Sequence, residues 1–421
     1  MSAAPGVRIS TLPNGLRVAT DTMPSLETAA VGIWVEVGTR DESAAFNGVA
    51  HLLEHMAFKG THRRTARGIA EEIETVGGQL NAYTSRENTA YYARVLAPDV
   101  PLAVDIVADI LQHSTMDAAE LERERGVILQ EIGQAEDTPD DLVFDHFQAT
   151  AYPDQALGRP VLGRAEIVRR LTGDEIRGYM HRHYGPSCMV LAAGGRVDHD
   201  QLVELAAAFS ELPADAIADT EPARYAGGDS RIERDLEQVH LVLGFAGLGF
   251  RDPDYYTASV VAMALGGGMS SRLFQEVREK RGLVYNISSF TAPYRDGGLL
   301  AIYAGTGETE AAEVLALICG ESTDFAATLT EADIARARAQ MKAGILMGRE
   351  SPSTRCEQLA QQLLIFDRPL PTEEIVARIE EVDVTAARRV LTRILSSRPT
   401  LACIGPVSRV ESYDRLAARL S

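Results

Sequence analysis

Cysteine is scarce and scattered in this chain. The 421 residues hold four, Cys188, Cys319, Cys356 and Cys403, and none falls in a CxxC pair. That spacing excludes a disulfide framework and a thiolate zinc cluster, and it predicts reduced thiols in a cytosol-like compartment. Any metal site has to be built from histidine and carboxylate. Basic residues are also in the minority, 41 Lys and Arg against 60 Asp and Glu, for a net charge of −19. A polyanion needs a basic face, so nucleic acid is excluded as a partner. The acidity suits long-range attraction of basic peptides, and equally the plain acidity of many soluble proteins. No apolar run is long enough for a transmembrane helix. Residues 1–12 carry no basic stretch followed by an apolar core, so a cytoplasmic chain without a secretory signal is expected.

What is present is an ordinary globular composition, 45% hydrophobic and 24% charged, at a length that implies more than one core. Two segments echo each other: Glu166-Ile167-Val168-Arg169-Arg170-Leu171 and Glu374-Ile375-Val376-Ala377-Arg378-Ile379. Each precedes an amphipathic helix and then an apolar strand ending in glycine, Met189 to Gly195 and Thr400 to Gly405. Upstream, Gly78 to Val95 and Gly282 to Ala304 repeat a strand, polar turn and strand. Long-period similarity of this kind predicts a duplicated unit. The segment Leu212 to Ser230, rich in Ala, Pro, Gly and Asp, reads as a linker at 212–230 between domains at 1–211 and 231–421. Leu16 to Thr20 and Ala30 to Val37 read as strands, and Asn47 to Phe58 and Ala66 to Thr75 as helices. Blocks of each, without strict alternation, favour an α+β fold of two homologous layered domains.

The run His51-Leu52-Leu53-Glu54-His55 carries the chemistry. Helix positions i, i+3 and i+4 share a face. Both imidazoles can therefore reach one Zn²⁺, with Glu54 beside it to take a proton from a metal-bound water. The order His-x-x-Glu-His is the inverse of the commoner His-Glu-x-x-His and belongs to zinc peptidases. In the second half the same register falls near Ser259 to Met263, which offers no ligand. A catalytic zinc usually takes a third protein ligand. The helical stretch Ala118 to Glu136 offers Glu120, Glu122, Glu124, Glu131 and Glu136. Glu124 and Glu131 lie seven apart on one face, and Leu121, Val127 and Ile128 supply the apolar face. A carboxylate after Val127-Ile128-Leu129 sits where burial is expected, and burying it unpaired is costly unless a cation accepts it. This favours Glu131 as ligand and Glu124 as the partner of a ligating histidine. A solvated acidic helix face accounts for the same pattern.

On these residues the chain resembles the M16 metallopeptidases, the pitrilysin or inverzincin group, and within it the processing-peptidase-like branch. The likeness runs from near residue 10 to the C-terminus, and His51 to Thr61 (HLLEHMAFKGT) looks like the catalytic subunit's motif throughout. The resemblance implies one Zn²⁺ held by His51, His55 and Glu131, with Glu54 as general base and Glu124 as the acid behind a ligand. It implies an edge strand at Asn81-Ala82-Tyr83-Thr84-Ser85 that takes an extended peptide by main-chain hydrogen bonds, with Phe58 nearby. It also implies a second domain closing on the first like a clamshell, which brings Arg278 and Tyr285 to the substrate. An Arg fork holds a carbonyl, and a Tyr hydroxyl stabilises an oxyanion; core packing is the alternative reading for that Tyr. The expected assembly is a homodimer, with a heterodimer on an inactive homologue as the alternative. The expected activity is zinc-dependent endopeptidase action on unfolded peptides. The rival is a non-catalytic structural subunit of the same fold, as in respiratory-complex core proteins.

Gly266-Gly267-Gly268 lacks the Lys-Ser/Thr ending of a phosphate loop and reads as a tight turn. His181 and His183 read as surface or core residues.

Overall fold

The computed structural model describes residues 6–213 and 220–420. Residues 214–219 of the expected linker therefore lie outside the described residues. The first sheet contains β1 (Val7–Thr11), β2 (Arg17–Thr22), β3 (Thr28–Val35), β4 (Gln79–Thr84), β5 (Thr89–Leu96) and β6 (Met189–Gly195), in the order β1-β2-β6-β3-β5-β4. The second contains β7 (Gly228–Glu233), β8 (Val239–Gly247), β9 (Val284–Pro293), β10 (Gly298–Thr306) and β11 (Thr400–Gly405), in the order β7-β11-β8-β10-β9.

Apart from β1, the two orders are the same. β2 lies parallel to β6 as β7 does to β11, and the remaining pairings, four in the first sheet and three in the second, are antiparallel. The expected duplication into two α/β-layered repeats is what the topology has.

Helices α1 (Val49–Ala57), α2 (Ala66–Thr75), α3 (Val100–His113) and α4 (Ala118–Glu136) contribute to the first core. Their apolar faces meet Val31, Ile33 and Val35 of β3 and Tyr91, Ala93 and Val95 of β5. Thr65 caps α2, its hydroxyl accepting from the Gly68 N–H, and Gly77 ends it at φ +69°.

The compact units are not the two contiguous halves expected from the linker. One comprises residues 1–133, 159–221 and 346–372; the other comprises 134–158, 222–345 and 373–421. Each repeat has lent a helix to the other's sheet. Helix α5 (Pro139–Ala151) sets Val143, Phe147 and Ala151 against Val242, Ala301 and Ala402 of the second sheet. The helix Pro352–Phe366 sets Cys356, Leu359, Ala360 and Leu363 against Ala30, Trp34 and Ala192 of the first. Glycine makes both seats. A Cβ on Gly244 would stand 2.4 Å from Phe147 Cζ, and one on Gly194 would stand 2.5 Å from the Pro352 carbonyl. The physical reason is coverage. Each sheet has a second apolar face, and burying it is worth about 25 cal/mol per Å² whichever segment supplies the cover.

Candidate metal centre

Helix α1 is short, nine residues, and its start is held from a distance. Gly48, at φ +99°, leads into it, and the buried Glu42 carboxylate accepts from the N–H groups of Gly48 (2.9 Å) and Ala50 (2.8 Å) and from the Asn47 amide (2.9 Å). A carboxylate on the first-turn amides satisfies donors that the helix cannot, and it opposes the helix dipole. Burial nevertheless pushes the Glu42 carboxyl up to about 7, against the pull of those bonds. Val49, Leu52, Leu53 and Met56 bury the apolar face. His51, Glu54 and His55 therefore share the remaining side.

His51 is 9% exposed, and its ring meets that of His55 edge-on at 4.7 Å. Burial, with His55 adding to it, lowers the His51 imidazole to about 4, so it is neutral at physiological pH. Neutral imidazole is the ligating form. Glu131 arrives from α4 with its Oε2 3.8 Å from His51 Nε2 and 3.6 Å from His55 Nε2. Those separations exceed a hydrogen bond. The Glu131 oxygen is buried with no hydrogen-bond partner, as is His51 Nδ1.

One donor atom from each of the three residues lies within 4.8 Å of the other two. Ligands on bonds of about 2.0–2.2 Å in a tetrahedral shell stand at comparable separations, so the set fits a single Zn²⁺. A carboxylate oxygen buried without a hydrogen-bond partner, facing two imidazole nitrogens, is the arrangement a cation would satisfy.

Behind the ligands, Glu124 is 6% exposed and bridges two groups. Its Oε2 stands 3.0 Å from His55 Nδ1, and its Oε1 accepts from Lys59 Nζ at 2.7 Å. With Nδ1 engaged, His55 directs Nε2 towards the centre. Glu54 lies beside them; its Oε2 accepts from the Thr84 hydroxyl at 2.5 Å, and burial raises its pKa above the usual carboxylate range. Lys59, Thr84 and Glu42 were not singled out by sequence reasoning. Lys59 stands four residues past His55 and Thr84 ends the edge strand, which were available signals; nothing local marks Glu42.

Strand β4 is an edge of the first sheet, paired with β5 on one side. Asn81 is exposed, and its side-chain oxygen covers the Ala82 N–H at 2.9 Å. The Tyr83 hydroxyl donates to Glu357 and accepts from Trp34 Nε1, so its side chain ties β4 to the helix Pro352–Phe366 and leaves its main chain for other contacts. Phe58 caps the end of α1 and stands 6.2 Å from the Tyr91 ring.

Arg278 and Tyr285 belong to the second unit. Arg278 lies in the last turn of the π-helical segment Phe274–Glu279, with its guanidinium 4.7 Å from the Phe274 ring and 5.0 Å from that of Tyr285. Tyr285, on edge strand β9, is 80% exposed rather than packed in a core. His183, by contrast, is buried against Tyr179.

A duplicated α+β scaffold with an inverted His-x-x-Glu-His helix and a distant glutamate defines a class of metallopeptidase-like proteins. The comparisons give the family. The profile of Insulinase (Peptidase family M16) matches residues 17–165, and that of the Peptidase M16 inactive domain matches residues 170–341. An uncharacterized zinc protease of Streptomyces coelicolor is 42% identical over 98% of this chain and 92% of its own length. A probable mitochondrial-processing peptidase subunit beta of Arabidopsis thaliana is 39% identical over 99% of this chain and 82% of its own. The chain belongs to peptidase family M16.

Two solved structures share the fold. A chain of Complex III2 from Candida albicans, Inz-5 bound, has a TM-score of 0.87 at 21% identity, covering 99% of this chain and 100% of that one. A peptidase M16 inactive domain from Pseudomonas fluorescens has a TM-score of 0.89 at 21% identity, covering 96% and 100%. Among the described residues no helix is long and apolar enough to cross a membrane.

Proposed function

We propose that this chain is a zinc-dependent endopeptidase acting on extended peptides. The observation that carries the reading is the buried Glu131 oxygen without a hydrogen-bond partner, facing His51 Nε2 and His55 Nε2. His51, His55 and Glu131 are the proposed holders of one Zn²⁺, and Glu124 orients His55. When bound, Zn²⁺ supplies a Lewis acid that polarises a carbonyl and acidifies water to a pKa of about 7.

Glu54 takes the proton of the attacking water and delivers it to the leaving amine. Its raised pKa suits both halves of that exchange, and the Thr84 hydroxyl holds one of its carboxylate oxygens. The free edge of β4 takes the peptide as an added strand, for which Asn81 must release the Ala82 N–H. This mode reads main chain and carries little sequence preference. Arg278 and Tyr285 are proposed to hold a substrate carbonyl and the developing oxyanion. The proposed assembly is a cytoplasmic homodimer, with a heterodimer on an inactive homologue as the alternative.

The relatives named zinc protease and processing peptidase support this reading, and the intact ligand set weighs against a purely structural subunit. The test is cleavage of a mixed peptide library by wild type and Glu54→Gln, with zinc measured in both. The variant is expected to keep its zinc and lose about 10²–10⁴-fold in turnover. Equal cleavage by both proteins would remove Glu54 from the role of base.

A further inference from the structure

Strand β4 has two ends of different character. Thr84 binds the proposed base, whereas the Gln79 end borders an open cleft of about 620 Å³ between β4 and α2. Its floor is apolar. Ile69 and Ile73 of α2 are 2% and 3% exposed, and Leu80 of β4 completes it. Ala66 and Ala70, one turn apart on α2, line the cleft and keep it open because their side chains are small. The nearby ammonium, that of Lys59, is committed to Glu124, and Glu74 is exposed on the lining.

Side chains of β4 alternate. Leu80 and Ala82 face the helices of the first core, and Tyr83 faces the helix Pro352–Phe366. A peptide added to the free edge follows the same alternation, so its side chain beside Leu80 comes down over the cleft. At about 3.3 Å per residue, Leu80 lies roughly 13 Å from Thr84.

We propose that this cleft is a distal specificity subsite for a large apolar side chain, Leu, Met or Phe, two to four residues from the bond that is cut. The proposal rests on the endopeptidase reading for its substrate. It replaces the indifference of main-chain recognition with one preferred side chain. Filling the apolar floor of the cleft gives a preference of about 10- to 100-fold over glycine.

The test uses zinc-loaded full-length protein and a peptide set that places Gly, Leu, Phe or Arg at each position of an otherwise Ala/Ser/Gly sequence. Binding is read by calorimetry on Glu54→Gln, and kcat/KM on protein with Glu54 intact. Leu or Phe is expected to exceed Gly by 10- to 100-fold at one position, two to four residues from the cut. Ala70→Leu, and separately Ala66→Leu, fill the cleft with a good helix former; either is expected to reduce that ratio below threefold while ratios elsewhere hold. Zinc content and unfolding midpoint report that the variants are folded.

A ratio unchanged in both filled variants would overturn the proposal, as would a preference for Arg through Glu74 or no positional preference at all. Should wild type cleave no peptide, the endopeptidase reading fails separately. The binding ratios would still decide what the cleft accepts.

Discussion

The two repeats share a strand order and differ in what their corresponding helices bury. In the first, α1 lies between β3 and β4 and carries His51, Glu54 and His55. In the second, Tyr255–Gly266 lies between β8 and β9, and its Val260, Val261 and Leu265 are fully buried. At the register of the zinc motif it presents Ser259, Ala262 and Met263. The later helices diverge in the same way. Helix α4 carries Glu124 and Glu131, whereas its counterpart Glu331–Gly348 has acids at Glu331 and Asp333 only, in the first turn. One scaffold has thus been kept twice, and among the described residues only the first repeat gathers histidine and carboxylate into a cluster that could hold a metal ion. Burying imidazole and carboxylate costs stability unless they are paired. The second repeat avoids that cost, and Tyr285 stands exposed on its edge strand.

The comparison is broken most severely by making the first repeat resemble the second. Glu131→Gln removes the anionic ligand that the second repeat also lacks, and stoichiometric zinc is expected to be lost on dialysis, with all cleavage. Retention of one zinc per chain, read by elemental analysis, would place the third ligand elsewhere.

Next comes the second repeat's own contribution. Tyr285→Phe is expected to lower kcat at saturating peptide by about 10²-fold without changing zinc content, the cost of one missing oxyanion donor. Unchanged kcat would remove the second repeat from the chemistry.

A smaller effect tests the support behind the ligands. Glu124→Gln is expected to weaken zinc binding by 10- to 100-fold in chelator competition. Lys59→Met, which leaves Glu124 its bond to His55, is expected to weaken it less. If Lys59→Met were the more damaging of the two, Lys59 would not act through Glu124.

The smallest effect concerns the start of α1. Burial holds the Glu42 carboxyl at about 7, well above the ordinary glutamate value, so the folded state keeps a proton that the unfolded state releases. Stability from this group is fullest below pH 4.5, falls as pH rises through 7 and levels off above it. The span is of order 3 kcal/mol. Thermal midpoints between pH 5 and 8 should show this slope in wild type and its loss in Glu42→Gln. Equal slopes would show that the bonds from Gly48, Ala50 and Asn47 hold the group ionised instead.

Much of the fold was legible. Helices α2 and α4 and strands β6 and β11 fall on the residues expected; α2 is marked locally by a strong amphipathic period and a Thr cap, and β6 and β11 by apolar runs ending in glycine. Depth along α4 departs from its apolar pattern: Val127 is 39% exposed rather than inside, and Glu124, not Glu131, is the more buried acid. A helix of this length shows the period of its buried face but not the depth at each turn, which the neighbouring α1 sets. The helix exchange was also hidden. An amphipathic pattern in α5 or Pro352–Phe366 states that one face will be covered, not which sheet covers it.

By itself, then, the sequence determined the duplication, the composition that leaves histidine and carboxylate as the metal-binding choices, and the five-residue motif. Those are matters of spacing along the chain. Only the tertiary structure decided that Glu131 meets His51 and His55, that Lys59 and Glu124 stand behind them, that Glu42 holds the start of α1, and that a cleft opens beside β4. Each of these joins residues tens of positions apart or from different elements, and what settles such meetings is how apolar faces pack, which no local pattern records.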